Sequence, residues 1–150
     1  MSGPRRRAKS RGRRWVYDPH SGGVKIPDHS KPGIKQRILA CAKEHFAGKY
    51  TRIEVRFRGQ FCYIDAYQEP VVAPGWPPAD WGETQEEYIK RLRETPVHLC
   101  RLRYLGREDA WSWAFYTYSH DRYEPSVFDD GSWTGTPEDA FMLSANVYLQ

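Results

Sequence analysis

Residues 51–68 read TRIEVRFRGQFCYIDAYQ, and this stretch decides the fold. Apolar and polar residues alternate from Thr51 to Arg58, the period of a strand with one buried face. Gly59-Gln60 then breaks the alternation. A two-residue loop with glycine first suits a type II′ turn, so residues 61–68 are expected to fold back on 51–58 as a hairpin. Such a turn also fixes the register, and a slip of one residue would exchange the two faces. Arg58 is expected opposite Phe61, Arg56 opposite Tyr63, Glu54 opposite Asp65 and Arg52 opposite Tyr67. One face then carries Ile53, Val55, Phe57, Cys62, Ile64 and Ala66 and must be covered. The other carries Arg52, Arg56, Arg58, Phe61, Tyr63 and Tyr67, with Glu54 and Asp65 among them.

On the N-terminal side, Ser30 can cap a helix and Pro32 fits its first turn. Ile34, Ile38, Leu39, Ala42 and Phe46 recur at helical spacing, and Gly48 ends the run, which predicts a helix over 31–47. On the C-terminal side, Pro70, Pro74, Pro77 and Pro78 surround Trp76 and Trp81 in an irregular loop. Thr84 and Glu87 make a capping box for a helix over 84–94. A second hairpin follows, 97–105 with 110–118, joined through Gly106 to Asp109. Residues 119–135 read as a looser segment. Thr136-Pro137-Glu138-Asp139 starts a last helix over 137–149, with a cap, a proline and acids in its first turn.

The order is α-ββ-α-ββ-α. It predicts an α+β fold, a four-stranded antiparallel sheet with helices on one face. That order is similar to the one found in homing endonucleases of the LAGLIDADG type, which lay such a sheet on DNA. The acidic motif at the helix end of those enzymes is absent here, so the similarity is one of element order.

Charge is divided along the chain. Residues 1–14 hold Arg5, Arg6, Arg7, Lys9, Arg11, Arg13 and Arg14 and no acid, residues 15–68 are +4, and residues 69–150 are −7. The first fourteen residues cannot bury enough apolar surface to offset ordering and are expected to be a disordered basic arm ahead of one domain over 15–150. No apolar run approaches the length of a membrane span or follows the arm as in a secretory signal, so a cytosolic protein is expected. Cys41, Cys62 and Cys100 are odd in number and lack CxxC spacing, which speaks against a disulfide scaffold or a structural zinc site and for packing in the core.

The second hairpin divides like the first. Cys100, Leu102, Tyr104, Trp111, Trp113 and Phe115 make its apolar face, and Arg101, Arg103, Ser112, Ala114, Tyr116 and Tyr118 the other. Both hairpins thus place arginine beside tyrosine away from the helices. Arginine fits phosphate and stacks on bases, and tyrosine accepts unpaired bases, so RNA or DNA is the expected partner of this face and of the arm. Cross-strand Arg–Tyr pairs that only stabilise a solvated sheet account for the same residues.

Two other functions remain open. Glu54 and Asp65, directly opposite each other, could hold Mg²⁺ or Mn²⁺ in a metal-dependent nuclease, with His120 in the polar run His120 to Glu124 as a further candidate. Neighbouring arginines neutralise such a pair equally well. No cofactor is expected outside that reading. The acidic C-terminal half could instead meet a basic protein partner. Trp76 and Trp81 could clamp a ligand or lid the core, and His98 is expected to share the apolar face of its strand with Cys100.

Overall fold

A computed structural model describes residues 22–150. The basic arm and the rest of residues 1–21 lie outside the described residues. The fold is α+β, and its sheet is antiparallel throughout, with five strands rather than four. These are β1 (Arg52–Arg58), β2 (Phe61–Tyr67), β3 (Val97–Tyr104), β4 (Trp111–Thr117) and β5 (Arg122–Ser126), lying side by side in chain order. The helices are α1 (Lys31–Phe46), α2 (Gln85–Glu94) and α3 (Pro137–Tyr148).

The first hairpin pairs in the expected register, from Arg58 opposite Phe61 to Arg52 opposite Tyr67, around Gly59 at φ 61°. The second pairs Cys100 with Phe115, Leu102 with Trp113 and Tyr104 with Trp111. β5 falls in the stretch expected to be loose. Its signal is short and interrupted by Pro125, which a central strand would not accept. At the sheet edge the missing N–H costs no ladder bond. The turn into β5 is made by Asp121 at φ 53°, a conformation that aspartate tolerates better than most residues.

Two helices, not three, cover the sheet. α1 buries Ile34, Ile38, Cys41, Ala42 and Phe46, and α3 buries Ala140, Phe141, Ser144 and Ala145. Phe46 meets Phe141 edge-on at 5.7 Å and joins the pair. Below them the sheet contributes Val55, Cys62, Ile64, Leu102 and Trp111. α2 has no buried residue, because its stripe of Tyr88, Ile89 and Leu92 is too short to displace charged neighbours from water. It is organised locally instead. Thr84 accepts the Glu87 amide, Arg91 pairs with Glu83 and Arg93 with Glu69. Ser30, by contrast, caps no amide, since it closes a short 3-10 turn that runs into α1.

The segment entering α1 is tied across one end of the sheet. The Val24 amide donates to the Tyr104 carbonyl at 2.8 Å and the Ile26 amide to that of Gly59 at 3.0 Å. Gly23, at φ 85°, is needed here, because a Cβ would come within 2.8 Å of the Arg103 side chain and the Tyr104 carbonyl. No helix among the described residues is long and apolar enough to cross a membrane.

Candidate nucleic-acid interface

Among the described residues, the face of the sheet away from α1 and α3 holds all the charged candidates but His120. β1 to β3 place Arg52, Arg56, Arg58, Arg101 and Arg103 there with Glu54 and Asp65. The arginines are not equivalent. Arg52 and Arg56 keep 61% and 49% of their side-chain surface, and Arg58 is exposed. Arg101 and Arg103 are buried. The Arg101 guanidinium lies 4.2 Å from the Phe61 ring centre and 5.1 Å from that of Tyr123, and Arg103 Nε donates to Ser112 Oγ at 3.0 Å. Arg101 and Arg103 build the face, whereas Arg52, Arg56 and Arg58 present it.

The tyrosines supply flat surfaces beside those cations. Arg52 stacks over Tyr67 at 4.1 Å and Arg56 over Tyr63 at 5.2 Å. Tyr63 meets Tyr123 edge-on, Tyr123 meets Tyr116, and Tyr116 meets Tyr118. The rings continue across β2, β4 and β5. Tyr116 donates to Asp121, and this bond first, with burial second, pushes its phenol up to about 12. Burial, then the charge of Asp65, also raises Tyr123.

Asp65 lies at the centre of this face, only 2% exposed. Arg56 Nη2 donates to its Oδ2 at 2.8 Å, and His98 Nδ1 lies 2.8 Å from its Oδ1. Arg56 Nε also lies 3.1 Å from Glu54. The guanidinium therefore bridges the two carboxylates considered as metal ligands. Burial alone would lower the Arg56 pKa, but the bond and charge of Asp65, with Glu54, outweigh it and raise it. Among the described residues, no three His, Cys, Asp or Glu side chains gather where they could hold a metal ion.

His98 was expected on the apolar side, and the structure turns it over. Ile64 pairs with Cys100 but Asp65 with His98, so Leu99 is an extra residue in β3. Leu99 and Cys100 are both in the core, and His98 faces Asp65. The doubled apolar pair Leu99-Cys100 was the available sign of such a bulge. His120 lies elsewhere. It pairs with Glu124, at 2.5 Å, and Glu124 stands opposite Phe115 on the helix side of the sheet. That bond first, despite partial desolvation, holds Glu124 below the usual carboxylate range. Glu54 and Asp65 are brought together; His120 is not brought to them.

Away from this face, Trp76 and Trp81 meet edge-on at 4.9 Å and remain 40% and 55% exposed. They stand outside the core rather than lidding it. A cleft of about 780 Å³ opens at the β1-start end of the sheet, with Tyr50, Leu92, Val97 and Tyr118 among its walls. No protein-family model, curated protein or solved structure matches the chain.

Proposed function

We propose that this protein binds single-stranded nucleic acid, RNA or DNA, across the open face of its sheet along β1 and β2. The observation that supports the reading is the pair of exposed arginines stacked on tyrosines, Arg52 on Tyr67 and Arg56 on Tyr63, with Arg58 continuing the row. Stacking, together with Glu54 beside Arg52 and with Glu54 and Asp65 on Arg56, holds both half-exposed guanidinium groups in place, which lowers the entropy lost when a phosphate arrives. The neighbouring rings accept unpaired bases without requiring a particular sequence. The basic arm, Arg5, Arg6, Arg7, Lys9, Arg11, Arg13 and Arg14, adds affinity through further phosphates.

The test is anisotropy titration of labelled 20-residue RNA and DNA single strands, with a duplex as control, over a range of salt. Replacing Arg52 and Arg58 together by Ala should flatten the log–log salt dependence by about 1.4, at ~0.7 per phosphate on a single strand. Tyr67→Ala should weaken binding roughly five- to a hundredfold, the worth of one stacked base. Unchanged curves for both variants would overturn the assignment of this face.

A further inference from the structure

We propose that His98 is a general base that cleaves bound RNA without a metal, positioned by Asp65 and flanked by Arg56. The inference rests on the nucleic-acid reading above. Its basis is the single buried carboxylate between two accessible groups. Asp65 is 2% exposed, whereas the Arg56 and His98 side chains, each 2.8 Å from one of its oxygens, keep 49% and 33% of their surface.

A carboxylate accepts, so in the neutral imidazole the contact with Asp65 places the proton on Nδ1 and the lone pair on Nε2. Nε2 makes no hydrogen bond to any described residue. The ring lies against Tyr116 at 4.9 Å, and the His98 amide donates to Tyr118 Oη at 2.8 Å, which holds the backbone as well. A buried carboxylate, an imidazole oriented by it and a side chain that keeps a third of its surface are the parts of an oriented base. Arg56 shares the same carboxylate, so a phosphate bound to it stands beside the imidazole.

Among the described residues beside His98, the Tyr116 hydroxyl is engaged by Asp121 and the Tyr118 hydroxyl by the His98 amide. Cys62 and Cys100 lie on the other side of the sheet, and burial raises both thiols. The nucleophile therefore comes from the substrate, which selects RNA through its 2′-hydroxyl. His98 Nε2 takes the 2′-OH proton and the 2′-oxygen attacks the adjacent phosphorus. The bond from phosphorus to the 5′-oxygen breaks, and that oxygen takes a proton from water. The products are a 2′,3′-cyclic phosphate and a 5′-hydroxyl, and His98 returns its proton to solvent. Arg56 stabilises the charge that develops on the phosphoryl oxygens.

The experiment incubates the full chain with a labelled 20-residue RNA, and with the same sequence as DNA, in EDTA. His98→Gln and His98→Ala, prepared in parallel, are followed by gel for cleavage and by titration for affinity, and the cleavage assay of His98→Ala is run with and without added imidazole. The expected result is cleavage of RNA alone to cyclic-phosphate ends. His98→Gln should lose ~10²- to 10⁴-fold in rate with affinity within about threefold, and imidazole should restore part of the rate to His98→Ala. RNA that is bound but left intact, or cleaved equally by His98→Gln, overturns the catalytic proposal and leaves the binding reading standing. RNA that is neither bound nor cleaved overturns both.

Discussion

Replacing Asp65 by Ala should destabilise the fold by about 2–4 kcal/mol. The figure follows from its two partners. Arg56 and His98 each lie 2.8 Å from an oxygen of a carboxylate that is 2% exposed. A hydrogen bond to a charged group is worth about 1.5–3 kcal/mol, so two would reach about 3–6 kcal/mol. The sum is discounted because water can reach the Arg56 and His98 side chains once the carboxylate is gone. For a chain of this size, the loss lowers the melting temperature by roughly 5–15 °C. The assay is denaturant unfolding at constant m-value, arranged as a double-mutant cycle with Arg56→Met. Arg56→Met should cost less than Asp65→Ala, because it leaves His98 on the carboxylate. The double variant should cost clearly less than the two single costs together. Costs that add within about 0.5 kcal/mol would mean that the guanidinium and carboxylate do not interact, and the reasoning about this site would fail.

Two further outcomes are expected. Val55→Ala, on the helix side of β1 and 8% exposed, should cost about 2 kcal/mol in denaturant unfolding through the cavity it leaves; a neutral result would contradict the β1–β2 register. Burial pushes the Cys100 thiol up to about 12 and the Cys62 thiol well above its ordinary value, so at pH 8 a disulfide reagent should label both slowly until denaturant is added, and labelling at the rate of a free thiol would show that these strands open.

Where local rules were strict, the sequence could be read. Gly59-Gln60 permits one tight turn, and the alternation around it then places every residue of β1 and β2 on its face. The same logic placed Arg101, Arg103 and Tyr116 on the open face. It could not show that Arg101 would be buried against Phe61 and Tyr123, because Tyr123 belongs to a strand hidden by Pro125 and a tight Asp121 turn. His98 was misplaced for a different reason. Strict alternation admits no extra residue, and the fold gained one at Leu99 to keep two adjacent apolar side chains in the core. The neutralisation of Glu54 and Asp65 was open in the sequence, since either Arg56 or Arg58 could have reached them. Only the bidirectional reach of Arg56 decides it.

The connection between β2 and β3 bears on how this chain tolerates change in length. Ala66 stands opposite Val97, so the two strand ends are already adjacent, yet residues 68–96 leave the body and return, and Pro77 is their only buried residue. Closing a loop of that length rather than a tight turn costs about 2 kcal/mol of chain entropy, at ~0.6 kcal/mol for each doubling. The layer of two helices on five strands does not depend on the excursion for its packing. A four- or five-residue hairpin loop in its place would preserve the β2–β3 register and speed the pairing of those strands. Among the described residues, the excursion is thus a segment whose length and sequence can change without removing a side chain from the core.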